Sequence, residues 1–455
     1  MKRYNVFVIG GGGTGGEIAF SLRGESKDLK IGIAEKDKLG GECNHYGCVP
    51  TKVMLRSAKI AAIARDADRF GVRIPTVEVD FPAIVKRARD VIDSQSGEGP
   101  KPFYEEGIDV VFEEVRLTGP NRMETASGET IEADKIVLAT GTEAAVPPIP
   151  GLADGPYWTN KEALWTPQAL PESLTVIGTG AIGTEFSQIY ARFGTNVTQI
   201  EIMPHILPHE DEEAALSMVP ALEADGITIL AGATTTKATH DGSAWTVDIE
   251  GRASVRTQEL LVATGRTPVF AMHDLAAAGV KLDDAGKPVL TDTLRTTNDH
   301  IWAGGDATGE LLFTHVGTYE AELIVDDIQG RPHKRDYRVI PRVTFCDPEV
   351  ASVGLTEQQA RNAGHGVATG VARFDDNERA HIDGQTFGLV KIVGDATTGE
   401  LLGGHIVGEE AGAMIHEIVA AMAGNLTAAT VGQAVHAYPT LSESVKSAFL
   451  DLGEE

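Results

Sequence analysis

The sequence predicts an α/β protein in three parts, two built on βαβ units and a third, C-terminal, of α+β type. Three observations carry that prediction. A β-rich run, "YNVFVI" at 4–9, breaks into the glycine turn "GGGGTGG" and a helix-like stretch, and "KIGIAE" at 30–35 reads as the next strand. The same grammar returns as "SLTVIG" at 173–178, "TGAIGTEFSQIYARFG" and "NVTQIE" at 196–201, an internal repeat. From about residue 338 the character changes: strand-like "LVKIVGD" and "LLGGHIVG" precede a helical "AGAMIHEIVAAMAG", as in a small domain with an antiparallel sheet.

A chain of 455 residues exceeds what one hydrophobic core usually supports. Two further phrases repeat, "KIVLATGT" at 135–142 and "ELLVATGRTP" at 259–268, so each half runs from a βαβ unit to a strand entering Ala-Thr-Gly. Proline-rich "VPPIPGLADGP" at 146–156 reads as a linker, and "IWAGGDATG" is another strand followed by a glycine turn. The expected organisation is a first domain over 1–147, a second over 148–268, a return to the first over 269–337, and the C-terminal domain over 338–455.

Composition excludes several classes of partner. A formal net charge of −27 argues against a nucleic-acid backbone, which attracts basic surfaces. The apolar run at the N-terminus breaks at glycines after five residues, too short for a secretion signal or a membrane span. With only three cysteines as well, the expected setting is cytoplasmic and reducing, with no membrane partner.

Gly10, Gly12 and Gly15 fit G-x-G-x-x-G between a predicted strand and helix, and Glu35 ends the following strand. In a Rossmann-like dinucleotide site such glycines make a tight turn and let the backbone reach a pyrophosphate, which rests on helix N-terminal N–H groups. The acidic residue takes the ribose hydroxyls. A lone glycine motif is also what an ordinary turn looks like; the flanking strands, helix and carboxylate are what separate the two. Gly178, Gly180 and Gly183 repeat the arrangement with Glu201. A carboxylate there repels a 2′-phosphate, which favours NAD(H) over NADP(H). Two cradles imply two dinucleotides, and FAD exchanging electrons with NAD is the economical pair. Gly141 and Gly265, in the two Ala-Thr-Gly phrases, are further candidates to face the cofactors.

"GGECNHYGCVPTK" at 40–52 holds Cys43 and Cys48, two of the three cysteines. A structural bridge, a metal site, a redox pair and coincidence are the alternatives. Residues five apart on a regular helix are separated by about 7.5 Å of rise, beyond the usual disulfide span of about 4.4–6.8 Å. A bridge therefore needs distorted backbone, which Gly47 permits. A metal site needs more soft ligands than His45 alone, so no metal is expected. A helix N-terminus at either sulfur would favour the thiolate.

Taken together, "VIGGGGTGGE", "GGECNHYGCVPTK", "ATGT", "VIGTGAIGTEF", "ATGRTP", "AGGDATG", "DPEVASVGLTE" and "HAYPTLSE" span nearly the whole chain. In these motifs the chain resembles the class I flavin-dependent pyridine nucleotide-disulfide oxidoreductases, the group that includes dihydrolipoyl dehydrogenase, with mercuric reductase and soluble transhydrogenase as other members. The resemblance implies two Rossmann-like domains, a C-terminal dimerisation domain and a homodimer. It makes Cys48 the flavin-proximal, charge-transfer sulfur and Cys43 the interchange thiol that meets a disulfide substrate, either a small molecule or a lipoyl group on a carrier. It places Lys52 by the flavin in a pair with Glu185, Asp306 at the ribityl chain, and His315 at the start of a helix under the flavin. The alternative for these residues is a surface charge or a helix cap. Cys346 is expected to be a buried structural thiol.

One departure stands out. Relatives that reduce disulfides carry His-Pro followed by a glutamate, supplied by the partner subunit as acid and base. Here Tyr438 takes the histidine's place, ahead of Pro439, and Glu443 keeps the orienting position. A phenol, with an ordinary pKa of about 10, is a poorer base at neutral pH than an imidazole at about 6.5. His436, two residues upstream, is expected to face elsewhere. The leading expectation is a dihydrolipoyl dehydrogenase-like enzyme. Reduction of a metal ion, quinone or dye, or transhydrogenation, is the rival, and an NAD-binding flavoprotein sensor the non-enzymatic alternative. A mercuric reductase's C-terminal cysteine pair is missing, since no cysteine follows Cys346.

Overall fold

The computed structural model describes residues 1–96, 99–270 and 272–452, so the last three residues of the expected C-terminal range lie outside it. The chain forms two compact units.

The first unit comprises Met1–Pro50, Lys86–Ala145 and Arg266–Asp336. Its central strand, Lys2–Ile9, pairs in parallel with Ile31–Ala34 on one side and with Thr130–Leu138 on the other. Asp109–Val111 and Ile301–Ala303 extend this parallel core, while Arg122–Thr125 and Val115–Gly119 continue it antiparallel, giving seven strands in all. Parallel strands are covered on both faces and read as continuous apolar runs, and Val6, Phe7, Val8, Ile31 and Ile33 are accordingly buried without alternation. The helices Gly13–Glu25 and Thr314–Ile328 pack against each other. A Cβ on Gly317 would sit 2.2 Å from Thr14 Oγ1, and one on Gly305 2.4 Å from it, so only glycine admits the threonine.

The second unit comprises Thr51–Val85, Val146–Gly265 and Tyr337–Glu455. A four-stranded parallel sheet runs in the order Thr228–Leu230, Asn196–Ile200, Ser173–Ile177, Glu259–Val262. The repeat read at 173–201 is therefore a second βαβ unit, whose helix is Ala181–Phe193. Toward the C-terminus a five-stranded antiparallel sheet is covered by the helices Ala411–Ala423 and Ser442–Leu452, through Ile415, Ile418, Val445 and Phe449. Met54, Leu55 and Ala58 join the core of this unit beside Trp158, Phe186, Tyr190 and Phe193. That burial is why the segment from Thr51, expected with the first domain, packs here.

The strands that follow the two Ala-Thr-Gly phrases pair within the first unit. Thr142–Ala144, following the first, pairs antiparallel with Arg266–Pro268, following the second. Two three-residue strands separated by over a hundred residues leave no periodicity to read, so this ribbon is invisible in the sequence. No described helix is long and apolar enough to cross a membrane.

Candidate functional site

In the first cradle each glycine has a distinct reason to be glycine. Gly10 has φ +111°, and a Cβ there would meet Ala139 O at 2.1 Å; one on Gly15 would meet Gly10 O at 1.9 Å. Gly12 differs, because the nearest heavy atom to its would-be Cβ is Gly41 Cα at 3.9 Å. The first and third glycines are required by the protein itself, and the second faces open space at the start of the helix Gly13–Glu25, as a pyrophosphate cradle requires. Glu35 accepts hydrogen bonds from Gly11 N at 2.9 Å and Asp37 N at 2.7 Å.

The second cradle follows the same logic. A Cβ on Gly178 would lie 2.5 Å from Ala263 O and one on Gly183 1.9 Å from Gly178 O, whereas one on Gly180 would find nothing within 4 Å. Glu201 is buried and accepts from Thr179 N, Thr179 Oγ1 and Met203 N, each at 2.9 Å. This carboxylate thus holds its own turn together besides standing at the cradle's edge. Both sites fit a dinucleotide. Gly141 at φ +68° and Gly265 at φ +119° are left-handed, with no heavy atom near their would-be Cβ positions.

The cysteine loop lies in the first unit. Gly41–Tyr46 is a short helix carrying Cys43; Gly47, at φ −135° and ψ −110°, breaks it; Cys48 is the first residue of the helix Cys48–Arg65. The spacing thus spans two helices joined at a glycine. Two side chains between the sulfurs are tied to the preceding loop, His45 Nε2 lying 2.9 Å from Leu39 O and Tyr46 Oη donating to Asp37 at 2.8 Å. Burial, then Asp37, pushes the Tyr46 phenol up to about 12, so it stays neutral. Cys48 is exposed, and its Sγ lies 3.6 Å from Thr314 Oγ1.

Asp306 belongs to a chain of contacts within the same unit. Thr142 Oγ1 donates to Asp306 at 3.0 Å, Arg266 Nε donates to Thr142 Oγ1 at 2.7 Å, and another Arg266 nitrogen lies 3.4 Å from Glu42. Burial pushes the Asp306 carboxyl above its ordinary value, against the pull of Thr142 and Arg266. His315 is the second residue of Thr314–Ile328, one place inside its expected start, and stacks on Phe313.

In the second unit Lys52 Nζ donates to both oxygens of buried Glu185, at 3.0 and 2.8 Å. Phe345 N donates to the same carboxylate at 2.9 Å, and its ring lies 4.8 Å beneath the ammonium. Cys346 is 1 % exposed, and burial, with Glu185, Asp347 and Glu349 nearby, pushes its thiol far up, which makes it inert.

Tyr438 is 71 % exposed, and among the described residues its hydroxyl has no partner in this chain. Glu443 accepts from Thr440 N at 3.1 Å instead. His436 is held by Glu417 at 2.7 Å and by Ala434 O at 3.1 Å, so it is tied down away from Tyr438's role. Among the described residues no group of three or more His, Cys, Asp or Glu is placed to hold a metal. Thr142, Arg266, Thr314 and Phe345 were not signalled by the sequence, because each acts through a neighbour distant in the chain.

Two glycine turns of the dinucleotide-binding pattern and a loop carrying two cysteines are features expected of a flavoprotein oxidoreductase that uses a pyridine nucleotide. The family described as pyridine nucleotide-disulphide oxidoreductase matches residues 4–321 and its dimerisation domain matches 340–449, and the chain belongs to this family. It is 37% identical to a dihydrolipoyl dehydrogenase of Chlorobaculum tepidum, over 99% of this chain and 97% of the relative. It is 33% identical to a mercuric reductase of Bacillus cereus, over 99% of this chain and 72% of the relative. Among solved structures, the HOCl-induced flavoprotein disulfide reductase RclA from Escherichia coli matches with a TM-score of 0.87 and 27% identity, covering 98% of this chain and 99% of that one. The cofactors are FAD and NAD(H), and the protein is an FAD-dependent disulfide oxidoreductase.

Proposed function

We propose that the chain is an NADH-linked enzyme in which Cys48 and Cys43 relay electrons between the flavin and a small dithiol or disulfide of the lipoamide type, free or on a carrier. The observation that carries this reading is the break at Gly47, which frees Cys43 from the helix that Cys48 begins. Bound FAD supplies the two-electron exchange with the nicotinamide. Gly10, Gly12 and Gly15 with Glu35 hold its adenosine pyrophosphate end, and Asp306 the ribityl chain. Lys52, kept in place by Glu185, presents a fixed ammonium to the ring system. Gly178, Gly180, Gly183 and Glu201 receive NAD(H), with the carboxylate disfavouring a 2′-phosphate. Cys48 holds the thiolate at its helix N-terminus, and Cys43 meets the substrate sulfur.

Tyr438 favours a second reading, in which the dithiol reduces a metal ion or a quinone and no imidazole base is needed. With His436 engaged by Glu417, no histidine is free to stand in within this chain's C-terminal loop. Steady-state oxidation of dihydrolipoamide by NAD separates the two. A lipoamide-type enzyme turns over, and Tyr438→His raises its rate by about 10²-fold, as a well-placed general base does. Turnover by neither form would reject the dithiol substrate and leave the second reading.

A further inference from the structure

Within the second unit, one short segment runs from the second glycine turn to the five-stranded antiparallel sheet. Leu207 is buried and has φ +48°, left-handed backbone that residues other than glycine rarely adopt. Its N–H donates to Thr179 O at 3.0 Å, and Thr179 is the residue between Gly178 and Gly180. Leu207 O accepts from Glu210 N at 2.9 Å, so the shape of this loop depends on where Glu210 and Asp211 are anchored.

The anchor is a polar row across the sheet. Arg342, Ser352, His405 and Lys391 are direct cross-strand partners on four neighbouring strands, so their side chains share one face. Ser352, His405 and Lys391 are buried there, where polar groups need partners. Ser352 Oγ donates to Glu210 at 2.5 Å, and Arg342 Nε lies 3.6 Å from the same carboxylate. Lys391 Nζ donates to Asp211 at 3.0 Å and to Glu357 at 2.8 Å, while Glu357 N donates to Asp211 at 3.2 Å. Strained backbone persists only where its surroundings over-determine it, and these bonds are what fix the far end of the loop. We infer that Ser352 and Lys391 are positioning residues of the nicotinamide dinucleotide site: by seating Glu210 and Asp211 they hold Leu207 left-handed, and Leu207 fixes Thr179 and with it the turn that receives the pyrophosphate. This rests on the reading above, in which the second glycine turn takes NAD(H).

The test is NAD binding to the oxidised, FAD-loaded protein by calorimetry, beside thermal unfolding. Ser352→Ala removes the hydroxyl donor and is expected to raise the NAD Kd about threefold to tenfold, and Ser352→Thr to restore it. Glu210→Ala should weaken binding by a similar factor, and the double variant by no more than either alone, because both remove the same bond. Ile415→Val, which loosens packing on the opposite, helix-covered face of the sheet, should lower the Tm and leave the Kd unchanged. An unchanged Kd in Ser352→Ala, with binding weakened in Gly180→Ala, overturns the proposal and leaves the glycine turn's assignment standing. Wild-type affinity in Gly180→Ala overturns that assignment itself. If Ser352→Thr binds like Ser352→Ala, or Ile415→Val raises the Kd as much as Ser352→Ala at the same loss of Tm, the effect is one of packing or general stability, and the proposal is overturned as well.

Discussion

The second cradle makes opposite demands on two glycines three residues apart, and substituting each with alanine separates binding from folding. A Cβ on Gly183 would lie 1.9 Å from Gly178 O, about 1.5 Å inside ordinary contact. That carbonyl belongs to a turn pinned by the bond from Gly178 N to Ile200 O, so it has little room to yield. Overpacking of this kind costs about 3 kcal/mol, or a fall in Tm of about 6–12 °C. Gly180 has φ −66° and ψ −173°, open to any residue, and its Cβ would touch nothing. Alanine there limits the unfolded chain but makes a poorer helix N-cap than glycine, and the two effects cancel to within about 0.5 kcal/mol. Its methyl does occupy the face that a pyrophosphate needs, and NADH affinity should fall about tenfold or more. Thermal unfolding and equilibrium NADH binding on the FAD-loaded protein decide the matter. Wild-type affinity in Gly180→Ala, or equal destabilisation by both substitutions, would refute the assignment of this turn as the nicotinamide dinucleotide's cradle.

Lys52→Met strands the buried Glu185 carboxylate with the Phe345 N–H as its one remaining donor among the described residues. Breaking a buried pair costs about 3–5 kcal/mol, and because the Lys52 side chain is 33% exposed the lower end applies. The urea midpoint should fall accordingly and recover largely in Lys52→Met/Glu185→Met. Acid should weaken the second unit through Asp347. Burial alone would raise its carboxyl, but Arg192 and Lys59, 2.6 and 3.0 Å away, outweigh that and hold it below the ordinary value. With the folded pKa depressed, the stabilisation is complete above the ordinary pKa of about 3.9 and is lost as pH falls through the folded value. The urea-midpoint gap between wild type and Asp347→Asn should therefore close as pH is lowered below about 4, and a gap independent of pH would contradict the ion-pair account.

The parallel strands were legible because burial on both faces leaves largely apolar, β-rich runs such as Tyr4–Ile9 and Ser173–Ile177, and the cradles because steric need writes glycine at fixed offsets. The cysteine loop was legible as a spacing and a permissive Gly47, and the buried state of Cys346 was expected of a free structural thiol. What pairs with what was not. The contacts Thr314–Cys48, Phe345–Lys52 and Arg266–Thr142–Asp306 join residues far apart in sequence through helix and ribbon packing, and no local pattern encodes such distances. The tie between His436 and Glu417 is of the same kind, and it decides whether a histidine is available near Tyr438.

In the proposed relay Cys43 and Cys48 take electrons from NADH by way of the flavin. Anaerobic addition of one equivalent of NADH, followed by alkylation and mass spectrometry, tests it most directly. A long-wavelength charge-transfer absorbance is expected, with the flavin still yellow and both Cys43 and Cys48 newly alkylated, and that absorbance is lost in Cys48→Ala. Bleaching of the flavin by the first equivalent, with both cysteines as unreactive as before, would contradict it.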